Sequence, residues 1–340
     1  MSGELSDFPT ALARLRAGRR VQAAAARLTG APAGARARLA GVTGSSQVQA
    51  PEEVRRRPVG VFDSGVGGLT VLHELLVQLP AEDFVYLADS ARFPYGARSG
   101  PELEGFALEV AEELLARRVK LLVVACNSAT AAALPALRRR LMQTTLGVEV
   151  LGVVQPGAVQ AVAATRNGRV GLLATPATVE SDAYARAIAA ADPFVQLTSV
   201  ACPDLAAIIE AGFPFDQQVV DTVRSYCEPL RAAGVDTVVL GCTHYPLVRP
   251  MLQRMLGRRV KIIVSGDPLA HQVEHVLGAR GLENPRGQDE HRVVEGRYSF
   301  LCTGDTDAFR TLGTRVLQLP LADVEPVALG EHELVTGGRR

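Results

Sequence analysis

The stretch V-V-L-G-C-T-H-Y-P-L, Val238 to Leu247, decides the fold. It sits on a β-branched and aliphatic run, Thr237 to Leu240, that is apolar rather than alternating. Such a run reads as a strand buried on both faces of a parallel sheet. Gly241 is expected to let the chain turn, and Cys242 follows at the strand's C-terminal end. Thr243 and His244 stand where a following helix would begin, ahead of the helical pattern from Leu247 to Leu256. In open α/β sheets, ligands bind at this edge. Free backbone N–H groups at a helix start stabilise a thiolate.

The same arrangement recurs. Leu121 to Ala125 (L-L-V-V-A) is a second buried strand, leading into Cys126-Asn127-Ser128 and an alanine-rich helix from about Thr130. The two cysteines are 242 − 126 = 116 positions apart. Val59 to Ser64 (V-G-V-F-D-S) echoes Val170 to Thr175 (V-G-L-L-A-T) at an offset of 170 − 59 = 111. Two strand-then-loop pairs at similar offsets imply two similar α/β halves. Each half would offer one cysteine to a shared cleft.

Strands and helices alternate from Val59 to Val324, so the expected fold is α/β. It comprises two similar doubly wound α/β domains with mostly parallel sheets and the active site in the cleft between them. The first domain is expected over 58–152 plus 261–325, and the second over 153–260. Residues 1–57 read as a disordered Ala/Arg-rich extension, so order should begin at Pro58. Residues 326–340 read as a flexible tail. Late strands are expected at Tyr298 to Thr303 and Leu317 to Val324.

At 340 residues the chain can bury a sizeable core. No apolar run reaches the roughly 18 residues of a membrane span. Net charge is zero, which gives no global argument for a nucleic-acid or acidic partner. The charge is uneven, however. Residues 1–58 hold ten Arg against four Asp or Glu, 10 − 4 = +6, and the remainder carries −6. We read the extension as a solvated tail in preference to a transit peptide. The only lysines, Lys120 and Lys261, each precede a strand, away from the binding edge. That counts against a pyridoxal phosphate enzyme, which needs a Schiff-base lysine in its site. Five widely spaced cysteines and no secretory leader pattern point to a reducing cytoplasm rather than a disulfide framework.

The turn Asp63-Ser64-Gly65-Val66-Gly67-Gly68 invites a dinucleotide reading, but G-x-G-x-x-G is not met and Asp63 would repel a pyrophosphate. Asp63 is better suited to orient or deprotonate a group in the cleft. Buried cysteines usually act as small hydrophobes, and Cys202, Cys227 and Cys302 are assigned to packing. Cys126 and Cys242 differ because both stand at equivalent strand ends beside polar residues. Zinc on Cys126, Cys242 and His244 lacks a C-x-x-C pair in support, so no metal is expected. His244, two residues after Cys242, can hold a proton for the thiol. Glu210 reads equally as a cleft residue or a solvated helix-end carboxylate. Asn127, Ser128 and Thr243 suit the carboxylate and ammonium of a small zwitterion.

Together these residues resemble the glutamate racemase family. The resemblance rests on V-G-V-F-D-S-G-V-G-G-L-T-V (59–71), Y-L-A-D-S-A-R-F-P-Y-G (86–96), A-C-N-S-A-T-A (125–131), G-C-T-H-Y-P-L (241–247) and a late T-G-D (303–305). It covers nearly everything from Pro58 to Val324. It implies a cofactor-independent racemase supplying D-glutamate for peptidoglycan. Cys126 and Cys242 would be the acid/base thiols, assisted by Asp63 and His244 respectively. Substrate contacts would come from Asp63, Ser64, Tyr95, Gly96, Asn127, Ser128, Thr243 and His244, with Thr130, Thr175 and Thr178 as further candidates. Ser128 departs from the family's usual threonine and loses only a methyl group. The partner implied is a small-molecule substrate, with no membrane and no direct nucleic acid. A homodimer is a further possible partner, and members of the family can contact DNA gyrase, though no residue pattern here carries either. Competing readings are an aspartate or other amino-acid racemase of the same superfamily, or a non-catalytic amino-acid-binding or gyrase-binding protein.

Overall fold

The computed structural model describes residues 49–144, 147–212, 216–288, 295–321 and 323–330. Its first sheet is built from β1 (Val59–Asp63), β2 (Phe84–Ala88), β3 (Leu121–Val124), β4 (Glu149–Gly152), β9 (Tyr298–Cys302) and β10 (Val324–Pro326), in the order β10-β9-β2-β1-β3-β4. The second holds β5 (Arg169–Ala174), β6 (Gln196–Ala201), β7 (Thr237–Gly241) and β8 (Lys261–Val264), in the order β6-β5-β7-β8. Every pairing is parallel. The block 2-1-3-4 of one sheet is repeated as 6-5-7-8 in the other, and Val59 faces Leu121 as Val170 faces Thr237. The offsets of 111 and 116 in the sequence therefore describe a true topological repeat.

Parallel sheets need helices on both faces, and the strands alternate accordingly. In β1 and β3, Val59, Val61, Leu121 and Val123 point into one cluster. There they meet Leu69, Leu72 and Leu75 of α2 (Leu69–Gln78) and Leu269, Val273 and Leu277 of α11 (Gly266–Ala279). Phe62, Leu122 and Val124 point the other way. They meet Leu103, Val110 and Leu114 of α3 (Gly100–Ala116) and Ala129, Ala133 and Leu137 of α4 (Asn127–Thr144). The second sheet is covered likewise, by α5 (Val154–Ala164) and α7 (Ala183–Ala191) on one face and by α9 (Gln217–Ala232) and α10 (Arg249–Leu256) on the other. Cys202, Cys227 and Cys302 are buried in these clusters, as expected. The chain crosses between sheets twice, through α5 and through α11. Among the described residues no helix is long and apolar enough to cross a membrane.

Four boundaries differ from the sequence reading. Lys261–Val264, assigned to the first domain, pairs with β7 in the second sheet, so the return to the first sheet begins at α11. The strand expected over Leu317 to Val324 fails at its described residues before Val324: α12 (Thr306–Leu317) ends there, and the pairing with β9 is made by Val324–Pro326. Leu317 and Leu321 are buried because they pack against the sheet, which gave the segment its strand-like alternation. Structure also begins before Pro58. Glu52–Arg55 is a short helix, α1, and Arg55 donates to Glu283 O and Gln49 Oε1. Residues 1–48 of the expected extension lie outside the described residues. At the other end, Val327 and Leu329 pack against the first sheet's second face, so the tail reading fails for them. Residues 331–340 lie outside the described residues.

Candidate active site

The site forms where the C-terminal ends of the two sheets meet. Asp63 ends β1, Cys126 lies two residues past β3, and Cys242 directly follows β7. Gly241 is not a turn residue, contrary to the sequence reading. It closes the strand, and a Cβ there would come 2.8 Å from Leu172 Cδ1 and 2.9 Å from Ala174 Cβ. The glycine-rich turn after β1 reaches across to the Cys242 loop. A Cβ on Gly67 would sit 2.5 Å from Thr243 Oγ1 and 2.6 Å from His244 Cε1. Thr70 Oγ1 donates to Thr243 O (3.0 Å), and Thr243 Oγ1 donates to Asp63 Oδ1 (3.2 Å). Gly67 thus serves a close approach between two loops, whereas Gly241 serves close packing within its own sheet.

Between the loops lies a cavity of about 20 Å³ onto which both Cys126 and Cys242 open. Space of that size holds about one water molecule. Cys242 Sγ is 3.9 Å from His244 Nδ1, and His244 Nε2 is 2.5 Å from Glu210 Oε2. Cys126 Sγ is 4.0 Å from Ser64 Oγ and stands at the start of the 18-residue α4. The Asp/Glu/Hydantoin racemase family pattern matches residues 63–273, from this Asp63 to the second crossover. This chain belongs to that family. It is 42% identical over 273 residues to a glutamate racemase of Geobacter metallireducens, covering 80% of this chain and 97% of that one. A Bacillus anthracis glutamate racemase structure superposes with a TM-score of 0.74 at 36% identity, over 81% of this chain and 98% of that one. A Francisella tularensis glutamate racemase, solved in complex with D-glutamate, superposes with a TM-score of 0.71 at 30% identity, over 81% and 98%.

Nine of the racemase's ten sequence-derived site residues line the cavity: Ser64, Tyr95, Gly96, Cys126, Asn127, Ser128, Cys242, Thr243 and His244. Asp63 does not. It is fully buried behind the wall, where Oδ2 accepts from the Gly65 and Gly68 amides at 3.2 and 2.9 Å. Thr175 reaches the cavity, and Ser128, Thr175 and Thr178 form a triangle of hydroxyls 2.9–3.2 Å apart. Thr130 turns away and bonds Val124 O. Glu210 does not line the cavity, but neither is it a solvated helix end: it is largely buried and held by His244, behind the cavity wall. Phe93, Pro94 and Ala206 also line the cavity and went unread, since nothing local separates them from loop or core residues. Tyr95 is held from behind, its hydroxyl donating to buried Asp89, which also takes Arg92 Nε (2.6 Å) and Thr303 Oγ1 (2.7 Å). Thr303 belongs to the late T-G-D motif.

The charges follow from burial and partners. Burial alone would lower the proton affinity of His244. Its hydrogen bonds to Cys242 and Glu210 more than offset this and push its pKa up to about 10. Burial raises Asp63, against the lowering effects of His244 and its amide donors. Burial, then the Asp63 charge, pushes the Cys126 thiol up, while the Ala129 amide at the α4 N-terminus works the other way. The two sulfurs thus have unlike neighbours, a carboxylate on one side and an imidazole on the other. Lys120 lies at the far edge of the sheet, where Nζ donates to Glu82 (2.5 Å), Arg55 O (2.7 Å) and Leu282 O (2.9 Å).

Proposed function

We propose that this racemase interconverts L- and D-glutamate by a cofactor-independent two-base mechanism, with Cys126 and Cys242 acting on opposite faces of the α-carbon. The observation that carries this reading is the placement of two thiols at equivalent strand ends, open to one cavity. In one direction the Cys242 thiolate takes the α-proton of L-glutamate, and the C–H electron pair stays on the substrate. The Cys126 thiol then gives its proton to the other face. The roles reverse for D-glutamate. His244, with its raised proton affinity, holds or returns the proton of Cys242, and Asp63 does the same for Cys126. Ser64, Tyr95, Gly96, Asn127, Ser128 and Thr243 grip the substrate's charged ends. The α4 N-terminus favours a carboxylate there.

The cavity is too small for a five-carbon diacid, so the two loops must part to admit it. Closing again excludes water and strengthens every donor around the developing carbanion. The D-glutamate formed would feed peptidoglycan synthesis in the cytoplasm.

Circular dichroism tests the reading. L-glutamate and D-glutamate, each with enzyme and no added cofactor, should decay to zero ellipticity. In deuterium oxide the product should carry deuterium at Cα. Cys126→Ala and Cys242→Ala should each lose racemisation, and activity persisting in both would sink the two-base scheme. Decay with aspartate but not glutamate would move the assignment to an aspartate racemase.

A further inference from the structure

Asn127 is presented to the cavity with one end of its amide already occupied. Tyr184, from α7 over the second sheet, donates its hydroxyl proton to Asn127 Oδ1 at 2.7 Å. The bond spans the two sheets, because Asn127 begins α4 beside the first. Tyr184 is buried, and burial pushes its phenol well above the ordinary range, so it remains a donor at any working pH. Among the described residues no acceptor takes the Asn127 Nδ2 hydrogens. With Oδ1 held by the phenol, the amide is turned so that its two Nδ2 hydrogens are left to offer the cavity.

The same phenol lies at the junction of the two crossovers. Tyr184 Oη is 3.2 Å from Ser265 Oγ, and Ser265 precedes α11, the second crossover. Gly157 of α5, the first crossover, packs so closely that a Cβ there would come 2.9 Å from Ser265 Oγ. One hydroxyl therefore touches a cavity residue at one end of its reach and the paired connections between sheets at the other.

We propose that Tyr184 is a positioning residue for anion recognition: it fixes the Asn127 carboxamide so that its NH2 group faces a carboxylate of the substrate. Ser265 anchors the phenol to the crossovers and acts one step further back. This rests on the glutamate reading of the site. Without the hydroxyl the amide can turn over and present oxygen to the carboxylate, which repels it.

The test is a double-mutant cycle on the full chain. Tyr184→Phe should raise KM for both enantiomers about tenfold, the loss of one oriented hydrogen bond, with kcat changed less than threefold. Asn127→Ala should raise KM further. The double variant should match Asn127→Ala alone, because the phenol has nothing left to orient. Ser265→Ala should change KM by less than Tyr184→Phe. If Asn127→Ala is too slow to assay, D-glutamate dissociation constants by calorimetry replace KM in the cycle. Additive effects, or a loss in Tyr184→Phe that tracks a fall in Tm while KM is unchanged, would overturn the assignment of Tyr184. An active wild-type enzyme with an additive cycle overturns this inference alone. A wild-type enzyme inert toward glutamate, and not bound by it, overturns both.

Discussion

Gly67→Ala isolates the contact between the two loops. Gly67 has no left-handed backbone conformation, so alanine is acceptable to the turn itself. The objection comes from across the cleft, where the new Cβ would meet Thr243 Oγ1 at 2.5 Å, against the 3.4 Å at which ordinary contact begins. His244 Nδ1 lies closer still, so the loops must separate by at least 3.4 − 2.5 = 0.9 Å. A misplacement of about 1 Å in a catalytic constellation costs on the order of 100-fold in rate. The strain is relieved by parting two loops rather than by deforming a packed core. Stability should accordingly fall by only about 1 kcal/mol, a few degrees in Tm. Racemisation of both enantiomers, followed by circular dichroism, should drop about 100-fold while Tm moves little. Gly105→Ala is the control: it lies inside α3 with nothing within 4 Å of a Cβ, and should keep full activity while gaining about 0.5–1 kcal/mol of stability. A Gly67→Ala enzyme within twofold of wild type in rate would refute the reasoning.

Two further outcomes follow from buried charges. Glu210→Gln removes one of the groups that raise His244, so the basic limb of the pH–rate profile should move from near 10 toward the ordinary 6.5. The accompanying stability term has a fixed sign: a raised histidine contributes fully below about 6.5 and loses its contribution as pH rises through about 10, which urea titrations across that window will detect. Lys120→Met strands the Glu82 carboxylate in the interior and should cost about 3–5 kcal/mol. Adding Glu82→Leu should recover most of it, and kcat should be unaltered in both variants because the pair lies at the opposite sheet edge from the cavity.

Much of the fold was legible because the strands that carry it are buried on both faces. V-V-L before Cys242 and L-L-V-V before Cys126 leave no polar face to confuse the period, and their repeat at a near-constant offset exposes the duplicated topology. What failed was information held elsewhere in the chain. K-I-I-V at 261 is plainly a strand, but nothing within it says which sheet will receive it. Leu317 to Val324 alternates like a strand because two leucines at a helix end and in the following loop pack on one side. The cavity residues beside the cysteines were readable, since local polar groups at a strand's C-terminal end have few other reasons to be there. Glu210 stayed open between two readings and Tyr184 went unread, for each acts through a partner dozens of residues away and looks locally like an ordinary helix residue. Gly67 was visible as a glycine, but its reason, the near edge of His244, exists only in three dimensions.

The two halves repeat in strand order yet differ in what they set beside sulfur, a carboxylate near Cys126 and an imidazole at Cys242. Enantiomers in water have equal free energy, so the equilibrium constant of a racemisation is one, whatever the catalyst. It follows that kcat/KM must be identical in the two directions. On the proposed two-thiol mechanism, an uneven pair of sulfurs can then appear only as a compensating difference in kcat and KM. A change on one side, such as loss of Glu210 behind His244, must lower kcat/KM for L- and D-glutamate by the same factor. The unlike neighbours are free to determine which enantiomer the enzyme holds longer, and powerless over which one accumulates.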